Sequence, residues 1–351
     1  MRIVLSLALA IALNLLSLGG VRAMGATIVE AGSTLMYPLM NVWVAAFQKT
    51  HPAIAISTQS TGSETGITQA MYGIAQIGAS DAYMSDQQMQ KATMLNIALA
   101  VSAQQVNFNI PGLNDARLNL SGPVLAAIYS GQVLTWDDPA IRVINPEIAS
   151  KLPHQPIVPI NRADGSGDTF IFTQYLALTA PVWHDQVGFG TKILWPPTPR
   201  GVAAIGNTGM LESCRATPYS LAYIGISYLA KTQEAHLGYA WLLNRAGKYV
   251  PPTPASIAAA VKKLEMQTPA DERMSLIDAP GPQSYPIVNF EYAIVNPHQS
   301  EAALKDGLVA FLRWAIDPSG GNNAHYLDET KFLPLPDRVR TLSEAQIASI
   351  K

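Results

Sequence analysis

The sequence has 351 residues, of which 48% are hydrophobic and 14% are charged, and its formal net charge is −2. This composition excludes a disordered chain, because it supplies enough apolar surface for a sizeable core. The length favours about two domains. The small net charge gives no electrostatic reason to expect nucleic acid or an anionic membrane as a partner. The single cysteine, Cys214, cannot form an internal disulfide, so the core alone must stabilise the fold.

Residues 1–23 are predicted to be a signal peptide. Arg2 precedes an apolar run over residues 3–18, and Val21 and Ala23 put small residues at the −3 and −1 positions of a cleavage site. The run is short for a membrane span, so cleavage after Ala23 is favoured over an uncleaved anchor helix. Because no cysteine lies beside the cleavage site, we expect an exported protein without a lipid anchor.

The chain after the signal peptide begins with alternating strands and helices. This order implies a mostly parallel sheet with helices on its faces. Hydrophobic periodicity predicts further strands and helices down to the C-terminus, and small polar residues predict turns between them. The predicted strands are 27–31, 53–59, 74–79, 101–110, 156–161 and 286–296, and residues 222–230 resemble a strand followed by the start of a helix. Helices are predicted over 36–47, 120–128, 170–178 and 304–316, after Ser63, and after the turn at 135–141. Residues 206–209 (GNTG) are expected to form a tight turn.

Two α/β lobes fit this pattern. The sequence contains no Pro/Ser-rich linker between them, so we expect strands to join the lobes, with 101–110 and 286–296 as the candidate crossings. The expected lobe I comprises residues 24–106 and 290–351, and the expected lobe II comprises residues 107–289.

Three predicted strand-to-helix junctions share the same chemistry. They are Gly32–Leu35, Thr61–Ser63 and Gly165–Gly167, and each combines glycine with a hydroxyl side chain. A helix N-terminus exposes unpaired N–H groups and carries the positive end of the helix dipole. A serine there is most often a simple cap, but it can also help to bind an anion. Three such junctions, with Arg162 nearby, favour one oxyanion that is held by several donors.

Two carboxylates narrow the choice of oxyanion. Asp81 ends a predicted strand, and Asp168 follows the third junction. An ionised carboxylate only accepts hydrogen bonds, so it suits an anion that still carries a proton, as phosphate does near neutral pH and sulfate does not. Asp81 could instead be an ordinary turn residue. Asp164 is expected to orient Arg162 through an ion pair, although a plain surface pair was the alternative.

Other site chemistries are poorly supported by the sequence. A nucleophile elbow needs glycine two residues either side of the serine, and Ser166 has Asp164 and Asp168 there. The six histidines show no zinc spacing, and the sequence contains no phosphate-loop or dinucleotide-binding signature. We therefore expect no catalytic residues, no metal and no cofactor.

At these residues the chain resembles the PstS family of phosphate-binding proteins, which serve ABC-type phosphate importers. The resemblance rests on stretches from the first junction to the C-terminus and covers essentially the mature chain. They are AGSTLMYPLMNVW (31–43), STGSETGITQA (60–70), IGASDAYMS (77–85), YSGQVLTWDDPAI (129–141), RADGSGDTFIFTQYL (162–176), GNTGM (206–210), PIVNFEYAIV (286–295) and LPLPDRV (333–339).

The resemblance implies a two-lobed periplasmic binding protein fold of type II, in which each lobe is a mixed, mostly parallel sheet flanked by helices and two hinge strands join the lobes. It implies binding of inorganic phosphate in the periplasm and delivery to membrane permease subunits. Asp168 stands where the family often has Ser or Thr, which removes a hydroxyl donor and adds a carboxylate. The phosphate-binding residues expected from the motifs are Ser33, Thr34, Leu35, Ser63, Asp81, Arg162, Ser166, Gly167 and Asp168. A secreted phosphate-ester hydrolase and a binder of sulfate or molybdate were the alternatives.

Overall fold

The computed structural model describes residues 27–351, so the predicted signal peptide lies outside the described residues. The chain forms strands and helices in alternation, as the sequence predicted. The strands are β1 Ile28–Gly32, β2 Ile56–Ser60, β3 Ile77–Ser80, β4 Leu95–Asn109, β5 Leu118–Leu120, β6 Val158–Arg162, β7 Val202–Ala204, β8 Ser220–Gly225, β9 Gly238–Leu243, β10 Tyr249–Val250 and β11 Val288–Val295. The helices are α1 Tyr37–Thr50, α2 Ser63–Met71, α3 Asp86–Lys91, α4 Gly122–Tyr129, α5 Pro139–Arg142, α6 Gly167–Thr179, α7 Pro181–Gln186, α8 Gly206–Ala216, α9 Leu229–Glu234, α10 Pro254–Leu264, α11 Ala302–Ile316, α12 Ala324–Thr330 and α13 Asp337–Ala348.

Both halves of the molecule are built on the same kind of mixed sheet. In the first half the strand order is β2-β1-β3-β11-β4, with the first three strands parallel and β11 antiparallel to its neighbours. In the second half β7, β6 and β8 are parallel, and β8 pairs antiparallel with β4. The prediction of two mostly parallel α/β sheets of the type II binding-protein fold is confirmed.

Strand β4 belongs to both halves. Its first residues, 95–103, pair with β11, and its last residues, 104–109, pair with β8. Nearly every residue of β4 and all of β11 are buried, including polar residues such as Gln104 and Glu291, because both faces of these strands are covered. Segments 101–110 and 286–296 therefore lie at the junction of the halves, as predicted, while the precise lobe boundaries stay a prediction.

Helix α1 illustrates how the apolar pattern positions the cleft. Leu39, Met40, Trp43 and Phe47 recur at helical spacing and are all fully buried against the first sheet. The helix ends at Thr50, because the residue before Pro52 is disfavoured in helical conformation. This packing holds the turn that precedes α1 at the carboxyl end of β1, where ligands bind in open α/β sheets.

The prediction of a tight turn at residues 206–209 was wrong. Gly206 does have a positive φ of 65°, a conformation that is common for glycine in tight turns. However, α8 begins at this residue and continues to Ala216. The strand predicted at 74–79 is shorter and later, at Ile77–Ser80. Within residues 27–351, no helix has the length and apolar character needed to cross a bilayer.

Candidate functional site

The first half of the site is assembled by the turn after β1, the start of α2 and the end of β3. Ser33 donates its hydroxyl hydrogen to the carboxyl group of Asp81, and its Oγ accepts the backbone N–H groups of Leu35 at 3.1 Å and Met36 at 2.9 Å. Ser63 lies 3.3 Å from the other Asp81 oxygen. The two hydroxyl junctions predicted in this half therefore converge on one carboxyl group.

The backbone of Gly32 makes this convergence possible. Its φ is 146°, and a Cβ at this position would overlap the carbonyl of Ala79 at the end of β3. The carbonyl of Gly32 accepts the N–H groups of Thr61 at 3.0 Å and Gly62 at 2.8 Å. A side chain at residue 32 would therefore separate all three loops of the first half.

The second half is organised around Arg162 at the end of β6. Its side chain is 1% exposed, and its guanidinium donates Nε and Nη2 to Asp164 and Nη1 to Asp168 at 2.8 Å. Its backbone N–H donates to the hydroxyl of Tyr223 at 2.9 Å. The expected Asp164 ion pair is present, and it is part of a buried cluster rather than a plain surface pair.

Helix α6 starts at the contact between the two halves. Ser166 caps the helix by accepting the N–H of Thr169 at 3.3 Å. A Cβ at Gly167 would overlap both the Asp81 carboxyl group and the Ser63 hydroxyl of the first half. The positive end of the α6 dipole is thus aimed directly at Asp81.

Asp168 is fully buried and is surrounded by donors of the protein itself. Its Oδ2 accepts from Arg162 and, at 2.6 Å, from Asn207, and its Oδ1 accepts from Gln104 at 3.0 Å. Its expected role as a second acceptor for a protonated ligand stays a prediction.

Asn207 is a site residue that the sequence reasoning missed. Its Nδ2 donates to Thr34 at 2.9 Å and to Asp168, its backbone N–H donates to the same Thr34 hydroxyl at 3.1 Å, and its Oδ1 accepts the N–H of Gly225. It therefore ties the first half to the second. The available signal was the pair Gly206-Asn207 at a helix start, which has the same glycine-plus-polar pattern as the other junctions.

Glu291 on β11 was also missed, because residues 286–296 were interpreted from the sequence only as a strand that joins the lobes. It is fully buried, and its Oε1 accepts from Ser102 at 2.6 Å and Asn289 at 2.9 Å. Its Oε2 is buried without a hydrogen-bond partner among the described residues. Pairing of β11 with β3 brings Glu291 beside Asp81, and only the sheet order reveals this.

Leu35 is the remaining predicted residue, and it links the halves through apolar contact and its backbone. Its side chain lies against Gly225, where a Cβ would overlap it, and its carbonyl accepts from Ser227 at 2.7 Å. All nine predicted residues are buried and belong to this one cluster.

The carboxyl groups of the site differ in their ionisation. Burial and then the neighbouring Glu291 raise the pKa of Asp81 well above its ordinary value. Burial and then the charge of Asp81 raise the pKa of Asp168 to about 7, and burial raises the pKa of Glu291 to about 7. Although burial opposes it, the hydrogen bonds and charge of Arg162 lower the pKa of Asp164. Asp164 is thus the permanent counter-ion of Arg162.

A cavity of about 210 Å³ lies beside this cluster and is lined from both halves, by residues that include Thr34, Thr61, Asp164 and Asn207. Residues 27–351 contain no group of three or more His, Cys, Asp or Glu side chains placed to hold a metal ion. The site therefore consists of hydroxyl and amide donors, one guanidinium and several carboxyl groups, which is a set suited to a small, partly protonated oxyanion.

Two α/β halves that close over such a donor set define a solute-binding protein. The PBP superfamily domain model matches residues 22–319. The phosphate-binding protein PstS of Methanocaldococcus jannaschii is 34% identical over 91% of this chain and 85% of its own. The chain belongs to the PstS family of phosphate-binding proteins within the PBP superfamily, so the resemblance drawn from the motifs is confirmed.

Solved structures agree on the fold. The phosphate-binding protein of Stenotrophomonas maltophilia superposes with a TM-score of 0.69 at 16% identity, over 91% of this chain and 93% of its own. An ABC-type phosphate transport receptor from Vibrio cholerae superposes with a TM-score of 0.56 at 16% identity, over 88% of this chain and 100% of its own.

Proposed function

We propose that this protein binds inorganic phosphate between its two halves and delivers it to the permease of an ABC-type phosphate importer. The relatives of this chain are named as phosphate-binding proteins, and the family match extends over most of the sequence. The prediction of phosphate binding from the motifs agrees with those names.

The observation that carries the proposal is the single buried cluster in which Arg162, Asp81 and several hydroxyl groups meet. A phosphate ion placed there would receive the fixed charge of the guanidinium and would offer its own proton to the carboxyl group. Sulfate has no such proton near neutral pH and would set acceptor against acceptor. The same cluster thus accounts for both attraction and selectivity.

Binding in this cluster depends on dipoles that are already in place. Helices α2, α6 and α8 all begin at the cluster, and the positive ends of their dipoles face it. Because these groups are buried, mobile ions screen them weakly. We expect phosphate affinity to change little with ionic strength.

The residues that we propose to contact phosphate combine donors from both halves with two carboxyl groups. They are Ser33, Thr34, Leu35, Ser63, Asp81, Arg162, Ser166, Gly167 and Asp168. We further propose that residues 1–23 are removed on export, that the mature protein acts in the periplasm, and that residues 24–106 with 290–351 and residues 107–289 move as lobes.

Isothermal titration of the purified protein with phosphate and with sulfate tests this function. The protein is first unfolded, dialysed and refolded to remove any anion carried through purification. We expect tight phosphate binding, no heat with sulfate, and the same affinity at low and high salt. Sulfate or molybdate binding as tight as that of phosphate would contradict the proposal, as would turnover of a chromogenic phosphate ester by the same preparation.

A further inference from the structure

The cleft contains more carboxyl groups than one phosphate proton needs. Asp81, Asp168 and Glu291 are at most 2% exposed, and Asp164 borders the same cluster. Within residues 27–351, Arg162 is the cation that forms ion pairs with acids of this cluster. Buried charges of one sign without matching counter-charges are strongly unfavourable.

Protons resolve this imbalance. Glu291 Oε2 has no donor in the described part of the chain, and it lies on the strand that pairs with the end of β3, beside Asp81. Burial and mutual repulsion raise the pKa values of Asp81, Asp168 and Glu291 together. Because Asp81 comes from the first half and Asp168 from the second, closing the halves brings the like charges together, so closure and protonation are coupled.

The ligand supplies protons as well. Phosphate loses its second proton near neutral pH, so both the singly and the doubly charged ions are available to the protein. The singly charged ion brings two O–H donors and one negative charge fewer. It can satisfy two acceptor carboxylates, whereas the doubly charged ion can satisfy one.

We propose that Asp168 and Glu291 make the cleft selective for the singly charged, dihydrogen form of phosphate, so that binding of the doubly charged ion requires proton uptake. This inference rests on the proposed function and adds to it the charge state of the substrate. Asp168, which pairs with Nη1 of Arg162, acts as a specificity-determining residue, and Glu291 acts as a positioning residue that holds a proton beside Asp81.

The other titratable groups around Asp168 leave the buried acids of the cluster as the sites that take up protons. From β6 and the following loop come Arg162 and Asp164, and from β8 and the turn after it come the hydroxyls of Tyr223 and Tyr228. Burial raises the pKa values of both tyrosines, so they stay neutral. The remaining neighbours are Asp81 after β3, Glu291 on β11, Glu64 of α2, which lies against Gly165, and the neutral amides of Gln104 on β4 and Asn207 on α8.

Proton uptake on phosphate binding tests the inference directly. Titration calorimetry at about pH 5.5 and about pH 8.5, each in two buffers with different ionisation enthalpies, gives the number of protons taken up. We expect uptake of about one proton or more at the higher pH, and an affinity that falls by about tenfold per pH unit for each proton. Asp168→Asn should lower the uptake and flatten the pH profile.

Glu291→Gln should also lower the proton uptake and flatten the pH profile, with less effect on phosphate affinity at low pH. This variant is the test if Asp168→Asn fails to fold. Glu272→Gln is the matched control, because Glu272 is a buried acid whose pKa is also raised, to about 8, but which binds Ser343 and Gln346 away from the cleft. Tight phosphate binding without proton uptake at either pH would overturn the inference and leave the proposed function intact. Absence of phosphate binding at both pH values would overturn both.

Discussion

The two halves of the cleft provide different chemistry for the same anion. The first half contributes the hydroxyls of Ser33 and Ser63 and the carboxyl of Asp81, and among residues 27–351 the ion pairs of this cluster involve no cation of the first half. The second half contributes Arg162, which is held rigidly by Asp164 and Asp168. The first half attracts an anion through a helix dipole and hydrogen-bond donors, whereas the guanidinium of the second half adds a fixed positive charge that attracts any oxyanion.

This difference separates affinity from selectivity. The second half supplies the attraction, because its charge is present before the ligand arrives and is not free to reorient. The first half supplies the discrimination, because its carboxyl group rejects any anion that has no hydrogen to donate. Variants in the two halves should therefore change different measured quantities.

Removing the cation should have the largest effect on binding. Arg162→Ala leaves Asp164 and Asp168 as unpaired, largely buried carboxylates and deletes the fixed charge. Losing one partner of a buried charge pair costs about 3–5 kcal/mol, so we expect phosphate affinity to fall by roughly 100-fold or more. Titration calorimetry measures this loss.

Arg215→Ala is the matched control, since Arg215 is an exposed arginine on α8 that pairs with Glu212 at the surface. Arg162→Lys retains the charge without the fork and should give an intermediate affinity. If Arg162→Ala binds phosphate with wild-type affinity, the Arg162 side chain does not contribute to binding. The proposed difference between the two halves would then be wrong.

Removing the acceptor of the first half should change selectivity more than affinity. Asp81→Asn replaces a group that only accepts with an amide that can donate, so sulfate no longer meets acceptor with acceptor. We expect the ratio of phosphate to sulfate affinity to fall by about tenfold or more, with sulfate binding becoming measurable. Competition calorimetry with both anions gives the ratio. A ratio equal to that of the wild type would show that selectivity does not depend on Asp81.

Breaking the link between the halves should have a smaller effect. Asn207→Ala removes the side-chain donor to Thr34, which joins the two halves, and the donor to Asp168 within the second half. Each such hydrogen bond contributes about 1 kcal/mol, so we expect affinity to fall by several-fold, mainly through faster release. Stopped-flow fluorescence measures the release rate. Thr34→Ser retains the hydroxyl and is the control; an unchanged release rate in Asn207→Ala would show that this link does not hold the closed form.

The sequence predicts the residues of this site that have a local signature. Ser33, Ser63 and Ser166 each stand at a strand-to-helix junction with glycine beside them, and a helix N-terminus needs such residues whatever the rest of the fold does. Arg162 and Asp164 are two residues apart, so their pairing is also a local property. This is why hydrophobic periodicity and three short motifs were enough to predict that these residues belong to one site.

The residues that sequence reasoning missed depend on the order of strands in the sheet. Glu291 lies on β11, which is buried throughout, and the local sequence VNFEYAIV does not show which residues of other strands it faces. It reaches Asp81 only because β11 is inserted between β3 and β4. Asn207 was missed for a different reason. A glycine with positive φ, such as Gly206, is compatible both with a tight turn and with the start of a helix. The hydrophobic periodicity of a sequence reports neither the order of strands in a sheet nor which of two conformations a glycine adopts.

A buried acid outside the cleft shows how protonation affects the stability of the fold in the absence of a ligand. Glu30 of β1 is fully buried, neither carboxyl oxygen has a partner among the described residues, and burial raises its pKa to about 8. Between its ordinary value and about 8, the folded protein binds a proton that the unfolded chain has lost. The free energy of unfolding should therefore fall as pH rises through this range, by up to about 1.4 kcal/mol per pH unit.

Glu30→Gln should remove the contribution of Glu30 to this pH dependence while leaving phosphate affinity unchanged, since neither Glu30 carboxyl oxygen has a hydrogen-bond partner among the described residues. Urea unfolding at several pH values measures the first effect, and calorimetry at each pH measures the second. A stability that is as steep in pH for the variant as for the wild type would mean that Glu30 is ionised in the fold. In that case burial alone is not enough to keep an acid in this sheet protonated. The raised pKa values of Asp168 and Glu291 would then have to be caused by repulsion between the carboxylates of the cluster.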